Sequence, residues 1–252
     1  MEPWGARLTV PTPHMSGERA VQYWLSSHVS FCRTDDYVVL LDTKANRYMG
    51  VAADDFDALT DHIVGLQSTS CDSSSPKPDV LQFLEDLVLK GVLTAEPSKG
   101  RVAAPVHIDP PRTTLIDGYV DVEGPTHVRD GIRMIAALAT TKYFLRLRTF
   151  DDIIKRIRSR ASALDQQGDL ATIRNRVTLF QKLAPFFISR TDCCVFTTLA
   201  LGDFLHRYQL HPGYVFGVRT VPFSAHCCLQ MGSVVINDTV ENVGTYTPIL
   251  AL

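Results

Sequence analysis

The chain lacks any apolar run near the roughly 20 residues that a membrane-spanning helix needs. Its N-terminus, MEPWGARLTVPTPHMSG, also lacks the charged-then-apolar order of a secretory signal. An excess of positive charge is missing as well, because 25 lysines and arginines face 27 aspartates and glutamates among 252 residues. Composition therefore gives no reason to expect nucleic acid or an acidic membrane surface as a partner. We expect a cytoplasmic globular protein without membrane insertion.

The six cysteines lack the spacing of a disulfide framework or of a structural zinc site. Four of them form adjacent pairs, Cys193 with Cys194 and Cys227 with Cys228. Structural zinc sites usually separate paired cysteines by two or more residues, and adjacent cysteines project in different directions. We therefore expect free thiols and no bound metal. The question is then whether one of these thiols is a nucleophile.

The strand and helix patterns in the first half of the chain predict a small domain. Residues 1–22 carry several prolines with little periodicity, which predicts a flexible arm. Residues 23–95 contain three short strand patterns, HVSFCR, YVVLLD and RYMGVA, and two helical patterns, DDFDALTDHIVGL and DVLQFLEDLVLKGVL. These elements predict a winged-helix-like domain. The proline- and glycine-rich residues 96–127 are the best candidate for a linker.

The second half predicts another domain, over residues 128–252. Three helical patterns cover roughly 128–146, 151–163 and 170–187, with basic residues that favour a solvated helix face. A further helix begins near Cys193, and the strand patterns GYVFGVR, HCCLQM and SVVIND follow it. The predicted fold class is therefore α+β with two domains.

Either cysteine of the first pair lies where a helix favours a thiolate. Thr191 or Asp192 is suited to cap the helix, and the positive end of a helix dipole stabilises a nearby anion. Helical spacing puts Cys193 on the same face as a set of apolar residues, Phe196, Ala200 and Phe204, so Cys194 is the preferred nucleophile. The alternative that both cysteines are small buried hydrophobic residues stays open.

His226 and Asp238 are the candidates for the base and for the group that orients it. They lie six residues on either side of Gly232, so a three-residue hairpin turn centred there places them opposite each other on one face. A two-residue Gly232–Ser233 turn places them on opposite faces, so the pairing needs the three-residue form or a bulge. With that geometry Cys194, His226 and Asp238 form a cysteine version of the hydrolytic triad. The backbone N–H of Cys194 is the expected oxyanion donor.

The stretch DCCVFTTLAL, followed by GVRTVPFSAH and VIND, resembles the leader peptidase of lasso-peptide biosynthesis, the B protein, which has a transglutaminase-like, papain-related fold. The spacing of positions 194, 226 and 238 is that of the family, and the resemblance places the nucleophile at Cys194. One departure concerns the residues after the histidine, where the family often has an aromatic and this chain has Cys227 and Cys228.

The N-terminal half is similar to the domain that recognises the leader in that family. The resemblance implies that the leader adds as a strand beside Arg47–Val51, next to a helix over Val80–Lys90, a mode that uses backbone hydrogen bonds and side-chain pockets. The implied leader-binding residues are Arg47, Tyr48, Met49, Gly50, Val51, Leu81 and Glu85.

The resemblance implies a cysteine endopeptidase that cuts the leader from the core of a lasso-peptide precursor. The freed amine is then joined to an acidic side chain by a separate macrolactam synthetase that resembles asparagine synthetase. No cofactor is expected on this chain, which has no Walker-type phosphate loop, so ATP is required only through that partner. Three alternatives stay open: acyl transfer or thioester hydrolysis on the same fold, a non-catalytic leader-binding escort, and an unrelated helical protein with a small hairpin.

Overall fold

Strand patterns in the first half of the chain form an antiparallel sheet in the structure, a computed structural model that describes residues 22–66, 78–116, 127–161, 169–187 and 194–252. A short strand, β1 (Trp24–Ser26), precedes three strands, β2 (Val29–Arg33), β3 (Tyr37–Asp42) and β4 (Arg47–Ala52), in the order β2-β3-β4. The three predicted strands are thus confirmed. Two features stabilise the β3–β4 turn. The Asp42 carboxylate accepts hydrogen bonds from the backbone N–H groups of Lys44 and Ala45, and Asn46 adopts a φ of 49°.

The first predicted helix is shorter than its apolar spacing indicated. Helix α1 (Ala53–Asp57) ends after five residues, and a 3-10 turn follows at Thr60–His62. The hydroxyl of Thr60 donates to the carbonyl of Asp57, a local bond that competes with continued helix. The next residues then pair with Tyr23, whose N–H donates to His62 and whose carbonyl accepts from Val64. Backbone pairing with Tyr23 therefore replaces the last helical turns.

The second predicted helix is confirmed as α2 (Pro78–Leu89). The chain reverses after it at Gly91, whose φ of 72° suits glycine, and Val92 donates back to Leu87. Two short strands, β5 (Leu93–Thr94) and β6 (Gly100–Arg101), then flank β1 in a second sheet of order β5-β1-β6. The winged-helix-like class of this unit stays a prediction.

The second half contains four long helices and a five-stranded sheet, so the mixed α+β class is confirmed. The helices are α3 (Val128–Leu147), α4 (Phe150–Ala161), α5 (Leu170–Leu183) and α6 (Cys194–His206). Strands β8 (Gly213–Thr220), β9 (Phe223–Met231) and β10 (Val234–Val235), helix α7 (Val240–Val243) and strand β11 (Thr247–Ala251) follow. The sheet order is β11-β8-β9-β10-β7, where β7 (Thr113–Thr114) pairs parallel to β10. The segment predicted as a linker therefore contributes β6 to one sheet and β7 to another.

The N-terminal sheet packs on both of its faces. Along β3, Val38 and Leu40 lie in a core with α1 and α2, whereas Val39 and Leu41 lie in the core of the second half. This alternation follows from the two-residue period of a strand. On the second face the partners include Phe216, Val218 and Ile249. The sheet β2-β3-β4 is thus shared between two hydrophobic cores.

Basic residues of α4 do more than cover a solvated surface. Asp203 of α6 is 3% exposed, and its carboxylate accepts hydrogen bonds from Arg156, Arg160 and Arg207 at 2.7, 2.7 and 3.0 Å. A buried carboxylate is tolerated when it is paired in this way. The cluster ties α4 to α6, the helix that carries the candidate nucleophile. Across the described residues, we find no helix both long and apolar enough to traverse a bilayer.

Candidate active site

Cys194 is the first residue of α6, and a side-chain bridge fixes that helix against β9. Thr198, one turn into the helix, donates from Oγ1 to the carbonyl of Cys227 at 2.9 Å. The same hydroxyl accepts a hydrogen bond from the Asn237 amide at 2.9 Å. These bonds hold the start of α6 beside β9. Thr191, Asp192 and Cys193, which the sequence predicted at the helix start, lie outside the described residues.

His226 lies on β9 opposite Gly217 of β8, and the ring of Tyr246 stacks on its imidazole. The two ring centroids are 5.0 Å apart, with 28° between the planes. The missing side chain of Gly217 makes this possible, because a Cβ there would lie 2.9 Å from the Cβ of Tyr246. Gly217 and Tyr246 therefore set the orientation of the histidine, and no pattern in the sequence marks either residue.

The hairpin turn differs from the predicted three-residue form. Met231 pairs with Val234 across a two-residue turn at Gly232 and Ser233, and Gly232 has a φ of 54°. The expectation of a three-residue turn was therefore wrong, and a continuous ladder in this register would not place Asp238 opposite His226. Strand β10 ends after two residues, however; Ile236 still donates its N–H to the carbonyl of Leu229, and the chain bends over residues 236–238.

This bend, and not the pairing of strands β9 and β10, brings Asp238 to His226. The Asn237 side chain accepts the backbone N–H of Leu229 at 2.7 Å, while the carbonyl of Leu229 still accepts the N–H of Ile236. Asp238 is the residue after Asn237, and its Oδ2 lies 2.5 Å from Nε2 of His226. The two residues predicted to be neighbours are therefore in contact, although the route differs from the predicted one. Asn237 belongs to the VIND stretch of the sequence, but its role could not be read from strand periodicity.

Besides the histidine, two further donors hold the carboxylate of Asp238, and a third holds its backbone carbonyl. Its Oδ1 accepts the N–H of Thr239 at 2.7 Å, and its Oδ2 accepts the amide of Asn242 at 2.8 Å. Its backbone carbonyl accepts the hydroxyl of Thr114 from β7. Because Nε2 of His226 faces Asp238, Nδ1 is the ring nitrogen left for the thiol. The geometry is that of a base oriented by a fixed carboxylate.

Electrostatics in the site favour a thiolate and an imidazolium. A hydrogen bond with His226 lowers the pKa of Cys194 against the opposing effect of burial, and the backbone N–H groups of Cys227 and Val195 add to the lowering. The same hydrogen bond, assisted by the charge of Asp238, raises the pKa of His226. Both shifts stabilise the ion pair that a cysteine nucleophile uses.

The other described cysteines have the opposite character. Burial raises the pKa of Cys32 and of Cys228 to about 12, and it raises the pKa of Cys227 well above its ordinary value. These three thiols are free and almost fully buried. Of the four cysteines in the described part of the chain, only Cys194 combines partial exposure with a lowered pKa. The described residues contain no group of three or more histidine, cysteine or acidic side chains arranged for a metal ion.

Strand β4, the predicted leader-binding strand, is an outer strand of its sheet in the described structure. Its side chains alternate: Met49 and Val51 face the core with α1 and α2, whereas Tyr48 faces the second half of the chain. Arg47 donates to the carbonyl of Lys90 at the end of α2, and Gly50 is exposed. Leu81 and Glu85 are exposed on α2. The predicted set therefore spans both faces of β4, and Tyr48 lies on the face away from Met49.

The second half of the chain can be assigned to a superfamily by its sequence. Residues 137–251 match the transglutaminase-like superfamily. This transglutaminase-like domain contains Cys194, His226 and Asp238, and its fold is consistent with cysteine-protease or acyl-transfer chemistry. No curated protein and no solved structure matches the chain.

Proposed function

We propose that this protein is a cysteine endopeptidase that binds the leader of a lasso-peptide precursor and cuts it from the core. The observation that carries the chemistry is the contact of Cys194, His226 and Asp238 at the start of α6 and beside β9. The resemblance of the sequence to lasso-peptide leader peptidases supports the choice of substrate. The protein would act in the cytoplasm on a ribosomal precursor.

The cleavage would proceed in two steps. The Cys194 thiolate attacks the carbonyl carbon of the scissile bond, and the His226 imidazolium gives its proton to the leaving amine, which departs as the new N-terminus of the core. His226 then takes a proton from water, and the hydroxide attacks the thioester and releases the leader carboxylate. Asp238 holds the ring and stabilises its charged form. The Cys194 backbone N–H would donate to the oxyanion.

The N-terminal unit would supply leader recognition through the outer edge of β4. An extended peptide gains backbone hydrogen bonds at an unpaired strand edge. The position of β4 supports a role next to the chemistry, because the ring of Tyr48 lies edge-on to Phe223, with centroids 5.5 Å apart. Phe223 begins β9, the strand that carries His226. A leader docked on β4 therefore lies next to the strand that carries the base.

The partner in this proposal is an asparagine-synthetase-like macrolactam synthetase, which would consume ATP to join the freed amine to an acidic side chain. Neither nucleic acid nor a membrane takes part. Acyl transfer to an amine is the second candidate, because a transglutaminase-like domain also supports that reaction. A leader-binding escort that uses Cys194 only structurally is the third.

Mass spectrometry of a cognate precursor incubated with the protein, the synthetase and ATP tests the proposal. We expect the wild type and Cys193→Ala to release leader and core with the mass of one added water, whereas Cys194→Ala binds the precursor without cutting it. An added amine on the acyl fragment would indicate acyl transfer. Cleavage by Cys194→Ala at the wild-type rate would eliminate the nucleophile and favour the escort.

A further inference from the structure

A pocket of about 320 Å³ lies beside His226, on one face of the five-stranded sheet. Along β9, Cys227 and Leu229 pack in the core with α6, whereas His226 and Cys228 face the pocket. Strand β8 shows the same alternation, because Phe216 lies in that core while its neighbours in the strand line the pocket. The pocket therefore lies on the sheet face opposite the body of α6, and its wall at the triad is His226, the residue that hydrogen-bonds Cys194 at the start of that helix.

The opposite wall of the pocket comes from the segment 106–111, which lies within the predicted linker. The Gln230 amide donates to the carbonyl of Asp109 at 2.7 Å, and the N–H of Arg112 donates to the carbonyl of Ser233 at 2.8 Å. These bonds hold the segment against β9 and the hairpin turn. Its contribution to the lining is mostly apolar, from Val106, Ile108, Pro110 and Pro111.

The chemistry of the lining limits what the pocket can bind. The described lining residues include no lysine, arginine or carboxylate, and its inner part is built from Val215, Cys228, Val243 and Pro248. The imidazoles of His107 and His226 also line the pocket, and His226 is already paired with Asp238, so apart from these two rings a charged or phosphorylated ligand would find no ionic partner there. The volume is at the lower end of the range of about 300–1,000 Å³ for small-ligand pockets, which suits a large apolar side chain.

We propose that this pocket binds an apolar side chain of the peptide substrate, from a residue that flanks the bond attacked by Cys194. This inference rests on the proposed function, because the occupant belongs to the peptide that is cut. His226 supports it, since one imidazole is both a wall of the pocket and the hydrogen-bond partner of the thiol. Consecutive Cα atoms are 3.8 Å apart, so a peptide whose carbonyl reaches Cys194 places its adjacent side chains near the pocket.

Alkylation of the full-length protein tests the pocket without requiring peptide cleavage. The probes are iodoacetamide and its N-(2-phenylethyl), N-isobutyl and N-(2-hydroxyethyl) derivatives; in each case the Cys194 sulfur bonds to the methylene carbon and iodide leaves. Peptide mapping confirms the modified cysteine. We expect the two apolar derivatives to react with Cys194 at least about tenfold faster than the hydroxyethyl derivative, because their apolar tails are transferred from water into the pocket.

Two variants of Ile108 connect this selectivity to the pocket. Ile108→Trp fills the pocket and should reduce the ratio of apolar to hydroxyethyl rates to about twofold or less. Ile108→Ser removes an apolar side chain from the pocket wall and should reduce the ratio of apolar to hydroxyethyl rates at least about threefold. Val102→Ala, four residues before this segment, outside the lining and 56% exposed, is the matched control and should keep the wild-type ratio. Each ratio is taken within one variant, so a general change in thiol reactivity cancels.

The outcomes separate this proposal from the proposed function. A ratio below about twofold in the wild type, or an unchanged ratio in both Ile108 variants, overturns the pocket even if the precursor is cleaved. A large ratio that both variants reduce supports the pocket. If the precursor then stays intact, the pocket stands as an apolar subsite of the thiol and the leader-peptidase function fails.

Discussion

Asn237 connects the pieces of backbone that bring the triad together, and Asn237→Ala should weaken both the fold and the site. The substitution leaves the buried N–H of Leu229 without its acceptor and removes the donor to Thr198. An unsatisfied buried N–H costs about 1–3 kcal/mol, and an ordinary lost hydrogen bond costs about 1 kcal/mol. We therefore expect a loss of about 2–4 kcal/mol in the free energy of unfolding, measured by urea denaturation.

The same substitution should slow the chemistry, because the bend that Asn237 holds ends at Asp238. We expect the pKa of Cys194, followed by the pH dependence of iodoacetamide alkylation, to rise toward its ordinary value as His226 loses its orienting partner. Thr198→Val removes the middle of the same bridge and should couple with Asn237→Ala in a double-mutant cycle.

Thr178→Val is the matched control, because the half-buried Thr178 hydroxyl donates to the carbonyl of Arg174 in its own helix and does not bridge two elements. It should change stability by no more than about 0.5 kcal/mol. An Asn237→Ala protein as stable as this control, with the alkylation profile of the wild type, would refute the role of Asn237. Simple addition of the effects of the Asn237 and Thr198 variants would refute the shared bridge.

Three further predictions concern the base, the buried carboxylate and the glycine opposite the histidine. In the wild type the alkaline limb of the pH profile of kcat/KM, which reports loss of the His226 proton, should lie above pH 6.5, because the Cys194 hydrogen bond and the Asp238 charge raise the pKa of His226. Asp238→Asn removes that charge and should move the alkaline limb to lower pH. Asp203→Ala leaves three guanidinium groups around a void and should cost about 3–5 kcal/mol of unfolding free energy, measured by urea denaturation. Gly217→Ala should displace Tyr246 from His226 and lower the cleavage rate by about tenfold to a hundredfold.

Two of these predictions have a matched control variant, and the third has an outcome that would contradict it. Asp61→Ala removes an exposed carboxylate and should change stability little; an Asp203→Ala protein as stable as this control would contradict the buried cluster. Gly131→Ala adds a Cβ with nothing within 4 Å and should leave cleavage unchanged, so equal rates for both glycine variants would contradict the role of Gly217. An alkaline limb that stays in place in Asp238→Asn would show that the carboxylate does not set the pKa of His226.

Strand and helix patterns were predictable wherever one periodicity dominated, as in β3 and α2. The run VVLL of β3 could also have indicated burial on both faces, since strands with two covered faces read as continuous apolar runs. The sequence could not show what covers the second face, because Val39 and Leu41 contact residues about 180 to 210 positions later. The early end of α1 was equally hidden, because it depends on pairing with Tyr23.

The candidate site shows a different limit of sequence reasoning. Cys194, His226 and Asp238 were identified by residue type, helix position and family resemblance, and their chemical roles stay a prediction. Hairpin symmetry predicted the wrong turn, and Asp238 reaches His226 because the chain bends after Val235, where the side chain of Asn237 accepts the N–H of Leu229. Thr198, Asn242 and Tyr246 could not be found at all, since their contacts depend on how α6, α7 and β11 meet.

The sheet β2-β3-β4 has a consequence for anyone who would dissect this protein or recombine it with others. Because its second face is part of the core around Phe216, Val218 and Ile249, a cut after residue 127 would expose matching apolar surfaces on both pieces. β7 lies on the N-terminal side of that cut and would be lost from the five-stranded sheet, with the hydroxyl that holds Asp238. The two halves are therefore not interchangeable: a graft that replaces the N-terminal half must carry its own complementary face, or keep β2, β3 and β7 from this chain.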